Sequence, residues 1–243
     1  FHPLKHARWG ERARRKVTRT MTRVGNSHTP GADPLAEGIR FEKAGLLDKA
    51  LAQYRDARRG TTDPALAARS WTLESYVHHA AGRWEEAAAA AERGGAVARE
   101  AGREDLVAES LNARATVHYS RGEFDEARRL WEEMLSRATD ARVRGLALQN
   151  LGSVHGRLRA LEESESCFAE ADRHFAEAGY EWGRAHVHNN RAALALERQD
   201  WEGAEAAAWD AIHVARRIDD LDLLAIATMN RAEALEGLGL LDE

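Results

Sequence analysis

LNARATVHYSRGEFDEARRLWEEM (residues 111–134) and LQNLGSVHGRLRALEESESCFAEA (residues 148–171) are one pattern written twice, 37 residues apart. Each runs from a small residue (Ala115, Gly152) to a turn (Gly122, Arg159), then to a large apolar residue two places on (Phe124, Leu161). A second small residue follows (Ala127, Ser164), and then an aromatic one (Trp131, Phe168). Small side chains at matched points of two helices let their axes approach closely, so the pattern predicts an antiparallel helix pair around each turn.

The turn recurs at Gly45, Gly82, Gly122, Arg159, Gln199 and Gly239, with separations of 37, 40, 37, 40 and 40 residues. The apolar clamp recurs as Leu47, Trp84, Phe124, Leu161, Trp201 and Leu241, and the first small position as Gly38, Ser75, Ala115, Gly152, Ala192 and Ala232. Glycine at four of the six turns suits the left-handed conformation that ends a helix, whereas Arg159 and Gln199 must adopt it without that freedom. Asp33 and Asp63 before prolines, and Asp140, have the form of helix caps. These marks predict an all-α chain of about five and a half helix pairs, with units at 34–62, 63–102, 103–139, 140–180, 181–220 and a half unit 221–243.

The landmarks resemble those of tetratricopeptide repeats from about Asp33 to Glu243, in the long variety with about 40 residues per unit. Kinesin light chains, Rap-type regulators and the sensor arms of large bacterial regulators have such units. The resemblance implies a right-handed superhelical solenoid whose first helices line a concave groove, with the extra residues lengthening each second helix by about one and a half turns. A HEAT or armadillo array has an overlapping period, but the alanine, glycine and aromatic landmarks argue against it.

The composition fits this reading. The chain has 44% hydrophobic and 31% charged residues and only four prolines, which suits a packed helical fold. No run is long and apolar enough for a membrane span, the single Cys167 excludes an internal disulfide framework, and the cytoplasm is the expected location. Residues 1–33 hold eight Lys or Arg against two acids, leaving 27 bases and 38 acids in the rest. This leader lacks the landmarks and is expected to be poorly ordered or a lone helix over residues 4–20. It would be a linker from an upstream domain or sequence preceding a start at Met21. Nucleic acid is not an expected partner except through its arginines. The half unit 221–243 should expose an apolar face that a further second helix would cover.

Catalytic and metal motifs are absent: no phosphate loop, no GxSxG, no HExxH and no paired cysteines. Neither enzymatic activity, nor a cofactor, nor a metal, nor a small-molecule substrate is expected. Carboxylates such as Glu123, Asp125 and Glu126 lie beside Arg128 and Arg129 as on a solvated helix face. His78, His118 and His155 recur four residues before successive turns, where Phe41 and Leu235 stand in other units, and so read as packing residues rather than a metal ladder.

Asparagine is a poor interior helix residue, so its recurrence at Asn150, Asn190 and Asn230, each 40 residues apart, needs a cause. Two causes are open: capture of the main chain of an extended peptide, or bonds from helix to helix. The long-repeat family, with groove asparagines at the matching point, implies the first. Asn112 and Asn189 stand one place earlier, and Gln149, Arg157, Tyr119, Tyr76, Arg69 and His186 are candidate selectivity contacts. The expected function is a scaffold for a protein or peptide partner. The alternative is a sensory arm of a larger bacterial-type signalling or transcriptional regulator.

Overall fold

The computed structural model describes residues 34–240. These residues form eleven helices and no strand: α1 (Pro34–Lys43), α2 (Leu47–Arg59), α3 (Pro64–Ala80), α4 (Trp84–Glu100), α5 (Glu104–Arg121), α6 (Phe124–Arg137), α7 (Ala141–Arg157), α8 (Leu161–Glu177), α9 (Glu181–Glu197), α10 (Trp201–Arg217) and α11 (Leu221–Gly237). They belong to two compact units, one ending at Leu130 and the other starting at Trp131. None of the described helices is long and apolar enough to cross a membrane.

All six turn residues inferred from the period have a left-handed backbone, with φ between 58° and 80°. The residue after each one donates its N–H to the carbonyl five places back, as in Arg83 to His78 and Ala160 to His155, both at 2.9 Å. That bond consumes a carbonyl the helix end would otherwise leave without a partner. Arg159 and Gln199 take this conformation without glycine, at φ 64° and 58°.

The expected lengthening of every second helix needs correction. Where successive turns are 40 residues apart, the intervening second helix (α4, α8 or α10) has 17 residues. Where they are 37 apart, α2 has 13 and α6 has 14. The long ones end through a left-handed residue, Gly102, Gly179 or Asp219. The short ones lead instead into an extended aspartate cap: Asp63 accepts from the Ala65 N–H and Asp140 from the Val143 N–H, both at 2.9 Å. The predicted cap Asp33 lies outside the described residues.

The small positions hold the helices together by direct backbone approach. In the first unit Ser75 Oγ on α3 donates to the Ala87 carbonyl on α4 at 2.7 Å. In the second unit the hydroxyl comes from the other helix: Ser164 Oγ on α8 donates to the Gly152 carbonyl on α7, also at 2.7 Å. A Cβ on Gly38 would come within 2.3 Å of the Tyr54 ring, and one on Gly152 within 2.7 Å of Phe168. Phe175 is wedged between Gly145 of α7 and Gly183 of α9, where a Cβ would stand 2.6 and 2.8 Å from its ring. Contacts this close are what turn a repeated sequence mark into a fixed helix spacing.

Candidate functional site

Chemistry-bearing side chains turn inward to serve the hairpins. His78 Nδ1 accepts from Arg83 Nε at 2.8 Å, and His118 Nδ1 lies 2.5 Å from Glu123 Oε2. Each imidazole thus braces its own turn. Among the described residues, no three His, Cys, Asp or Glu side chains gather as metal ligands. Asp125 pairs with Arg128 at 3.0 Å and Glu126 with Arg129 at 2.6 Å, as an exposed salt-bridged face requires. Burial pushes the Cys167 thiol up to about 11, with Glu170 and Glu163 adding to the effect, so it stays protonated and a poor nucleophile near neutral pH.

Trp131 is buried, while Trp84 and Trp201 are half-buried. The remaining described tryptophans have definite neighbours: Trp71 lies under the Arg58 guanidinium at 3.5 Å, and Trp182 donates its indole N–H to Asp220 at 3.1 Å. Trp209, 42% exposed, has Arg231 over its ring at 4.4 Å. On α11, Leu221 and Met229 are 71% and 62% exposed.

The candidate contacts separate into two groups. Tyr76, Asn112, Asn189 and Asn230 are buried. Asn112 Nδ2 on α5 donates to Tyr76 Oη on α3 at 3.4 Å, and Asn230 Nδ2 on α11 donates to Asn189 Oδ1 on α9 at 3.0 Å. Both bonds join first helices of successive hairpins. Arg69, Tyr119, Gln149, Asn150, His186 and Asn190 are half-buried, and Arg157 is exposed. Tyr119 meets Phe124 edge-on at 5.5 Å, and His186 stacks on Trp182 with ring centroids 3.7 Å apart.

One pair in the second unit breaks the pattern. Gln149 and Asn190 stand 40 residues before Asn189 and Asn230, in the same registers of α7 and α9 that those two occupy in α9 and α11. The later pair is a closed amide clasp. In the earlier pair Gln149 Oε1 is buried without a hydrogen bond, and the Asn190 amide makes none to any described residue. A buried acceptor without a partner costs about 1–3 kcal/mol, so an open clasp asks for an explanation.

Asp200 and Asp220 were not anticipated as caps, yet they accept from the N–H groups of Gly203 and Leu223 at 3.0 Å. An aspartate directly before Trp201 or Leu221 was the available signal.

Residues 107–141 match the sequence profile of the tetratricopeptide repeat. Among solved structures, a STAND protein with a tetratricopeptide repeat sensor from Pyrococcus horikoshii has a TM-score of 0.70 at 14% identity, over 84% of this chain and 32% of its own. This chain therefore spans about a third of that protein's length. BtubC (BKLC) from P. vanneervenii has a TM-score of 0.67 at 15% identity over 86% of each chain. The Rap conjugation gene regulator of plasmid pLS20, solved with the Phr* peptide, has 0.58 at 14% over 97% of this chain and 71% of its own. At these identities the likeness is one of fold. Among curated proteins no sequence matches.

Proposed function

This chain is a protein of tetratricopeptide-type repeats, and on that premise we propose that it is a non-catalytic, cytoplasmic scaffold that captures an extended segment of a partner protein on its first helices, with Gln149 and Asn190 as the central contacts. The observation that carries this reading is the open clasp. Once the Gln149 side chain turns its buried Oε1 outward, a peptide unit laid beside α7 and α9 would donate its N–H to that oxygen and accept at its carbonyl from Asn190 Nδ2, closing the pair as Asn189 and Asn230 close each other. Asn150, next to Gln149 and half-buried, extends the same polar track. Main-chain capture of this kind would be indifferent to the ligand's side chains, leaving selectivity to neighbours such as Arg157 and His186. The Rap neighbour, solved with a bound peptide, supports a ligand of this class without identifying one.

The test is a displayed library of random twelve-residue peptides selected on the chain, followed by titration of the tightest peptide. Asn190→Ala and Gln149→Ala should each weaken binding about 3- to 10-fold, the worth of one hydrogen bond. N-methylation of one peptide bond in the ligand should do the same. Selected peptides that bind wild type and both variants alike would remove the clasp from the account.

A second reading, favoured by the STAND neighbour of which this chain spans about a third, makes the scaffold the sensory arm of a regulator. A complete reading frame with no effector domain on either side would end it.

A further inference from the structure

Arg184, Arg191 and Arg231 each reach from a first helix to a second helix and find a carboxylate there. Arg184 on α9 donates to Asp172 of α8 at 2.9 Å, Arg191 on α9 to Glu165 of α8 at 2.8 Å, and Arg231 on α11 to Glu205 of α10 at 2.7 Å. Arg142 on α7 is half-buried and reaches instead to Tyr180, just before α9, with its guanidinium carbon 4.5 Å from the centre of that ring. Its Nε is buried there without a hydrogen bond. A ring face attracts a guanidinium charge but does not replace the paired N–H to oxygen bonds of a carboxylate, so the cation is positioned without being satisfied.

The place of Arg142 on α7 ties it to the open clasp. Arg142 and Gln149 are seven residues apart, close to two full turns, so they leave the helix on one face about 10 Å from each other. That face carries a buried donor without a hydrogen bond, Arg142 Nε, at one end and a buried acceptor without one, Gln149 Oε1, at the other. About 10 Å is also the span of three residues of extended chain. One bound segment can therefore answer both.

The charge of the helix says what the second answer must be. Of the eleven described helices, α7 is the one without an Asp or Glu, and it carries Arg142, Arg144 and Arg157. Asp140, directly before it, is spent on the cap, accepting from the Val143 N–H at 2.9 Å. Outside the leader the chain holds 38 acids against 27 bases, so an acid-free helix is a local reversal of sign, complementary to an anionic segment.

With the clasp read as a peptide site, on which this inference rests, we propose that Arg142 sets its specificity: the bound segment carries an aspartate or glutamate three residues from the peptide unit held by Gln149 and Asn190, and that carboxylate pairs with the Arg142 guanidinium. The clasp fixes the main chain through two neutral hydrogen bonds, and the charge selects one side chain. Tyr180 already holds the guanidinium in place, so less of the arginine's freedom is lost when the carboxylate arrives.

The random twelve-residue library is selected in parallel on the unmodified chain and on Arg142→Gln. Peptides from the unmodified chain should align with an acid at one fixed place, and those from the variant should lack it. In the tightest peptide, replacing that acid by its amide should weaken binding to the unmodified chain about 5- to 30-fold, the worth of one charged hydrogen bond, and should change binding to Arg142→Gln far less. Arg142→Lys, which keeps the charge but not the fork, should keep the preference for an acid at reduced affinity. Arg144→Gln, an exposed position on the same helix, should leave affinity and preference unchanged. An amide peptide that binds the unmodified chain as well as its acid parent would overturn the proposal, as would an acid preference that Arg142→Gln retains. The first of these comparisons uses the unmodified chain alone, so it does not depend on how any variant folds. If Gln149→Ala and Asn190→Ala weaken binding in either case, Arg142 falls and the clasp stands. If neither weakens it, or no peptide is enriched, the clasp falls and the role of Arg142 with it.

Discussion

The hairpins α7–α8 and α9–α10 have helices of the same length and turns at Arg159 and Gln199 that lack glycine, yet they divide their interior volume differently. In the first, two rings on α8, Phe168 and Phe175, occupy space that glycines on α7, Gly152 and Gly145, leave empty. In the second the four matching places are Ala192, Ala185, Ala208 and Ala215, all fully buried. The glycine makes room for the ring that faces it, and in each such pair the glycine is on the first helix and the ring on the second, whereas paired alanines meet with far less side-chain volume. The first unit shows the same trade, with Gly38 under Tyr54 in one hairpin and Ser75 with Ala91 at the matching places of the next.

The largest expected effect comes from breaking this balance. Phe168→Ala should destabilise the protein by about 3–5 kcal/mol, since Gly152 has no side chain to fill the space. Gly152→Ala alone would force a Cβ to within 2.7 Å of the ring, at a cost of about 1–3 kcal/mol. The double variant reproduces the alanine pairing of α9–α10. It should be more stable than the sum of the single changes predicts by more than about 1 kcal/mol. Urea unfolding of the four proteins measures the coupling, and strict additivity would mean that Gly152 and Phe168 do not share one space.

A smaller effect separates the closed amide clasp from the open one. Asn230→Ala leaves the buried Asn189 amide without its partner and should cost about 1–3 kcal/mol. Asn190→Ala, at the matching register, breaks no hydrogen bond to a described residue and should stay within about 0.5 kcal/mol of wild type. Thermal unfolding of both variants without ligand suffices, and equal losses would show that the α7–α9 pair is bonded in solution.

The same pairs show how far the sequence could be read. Turns, clamps and small positions are legible because each is a single residue type at a fixed distance from the next, and distance along a helix is what a period records. Facing is not. Asn189 and Asn190 are neighbours in sequence, but successive helix residues point about 100° apart, so one lies in the clasp with Asn230 while the other remains half-buried. Nothing in the 40-residue ladder of Asn150, Asn190 and Asn230 tells that its last member is buried against the Asn189 amide of the preceding first helix. The burial of Glu42 on α1 was hidden for a related reason: an acid near a helix end reads as solvated until Tyr54, twelve residues on, is seen to reach it. The unequal second helices could have been read from the spacing, since 37 and 40 differ by three residues and α2 and α6 are four and three residues shorter than α4.

The smallest effect concerns the turns the two hairpins share. A non-glycine residue in the left-handed region carries a steric cost of about 1–2 kcal/mol, from the approach of its Cβ to the following carbonyl. Glycine removes that cost but loses more freedom on folding, about 0.5–1 kcal/mol. The difference predicts that Arg159→Gly and Gln199→Gly each stabilise the protein by under about 1 kcal/mol, raising Tm by roughly 2–4 °C at most. Arg159 also stands 3.7 Å from Glu197 with three quarters of its side chain exposed, so the lost ion pair subtracts little. The two variants should therefore behave alike by calorimetry, despite the different interiors beneath them. A loss of stability at Arg159 alone would mean that the glycine-and-ring hairpin depends on its turn residue in a way the all-alanine hairpin does not.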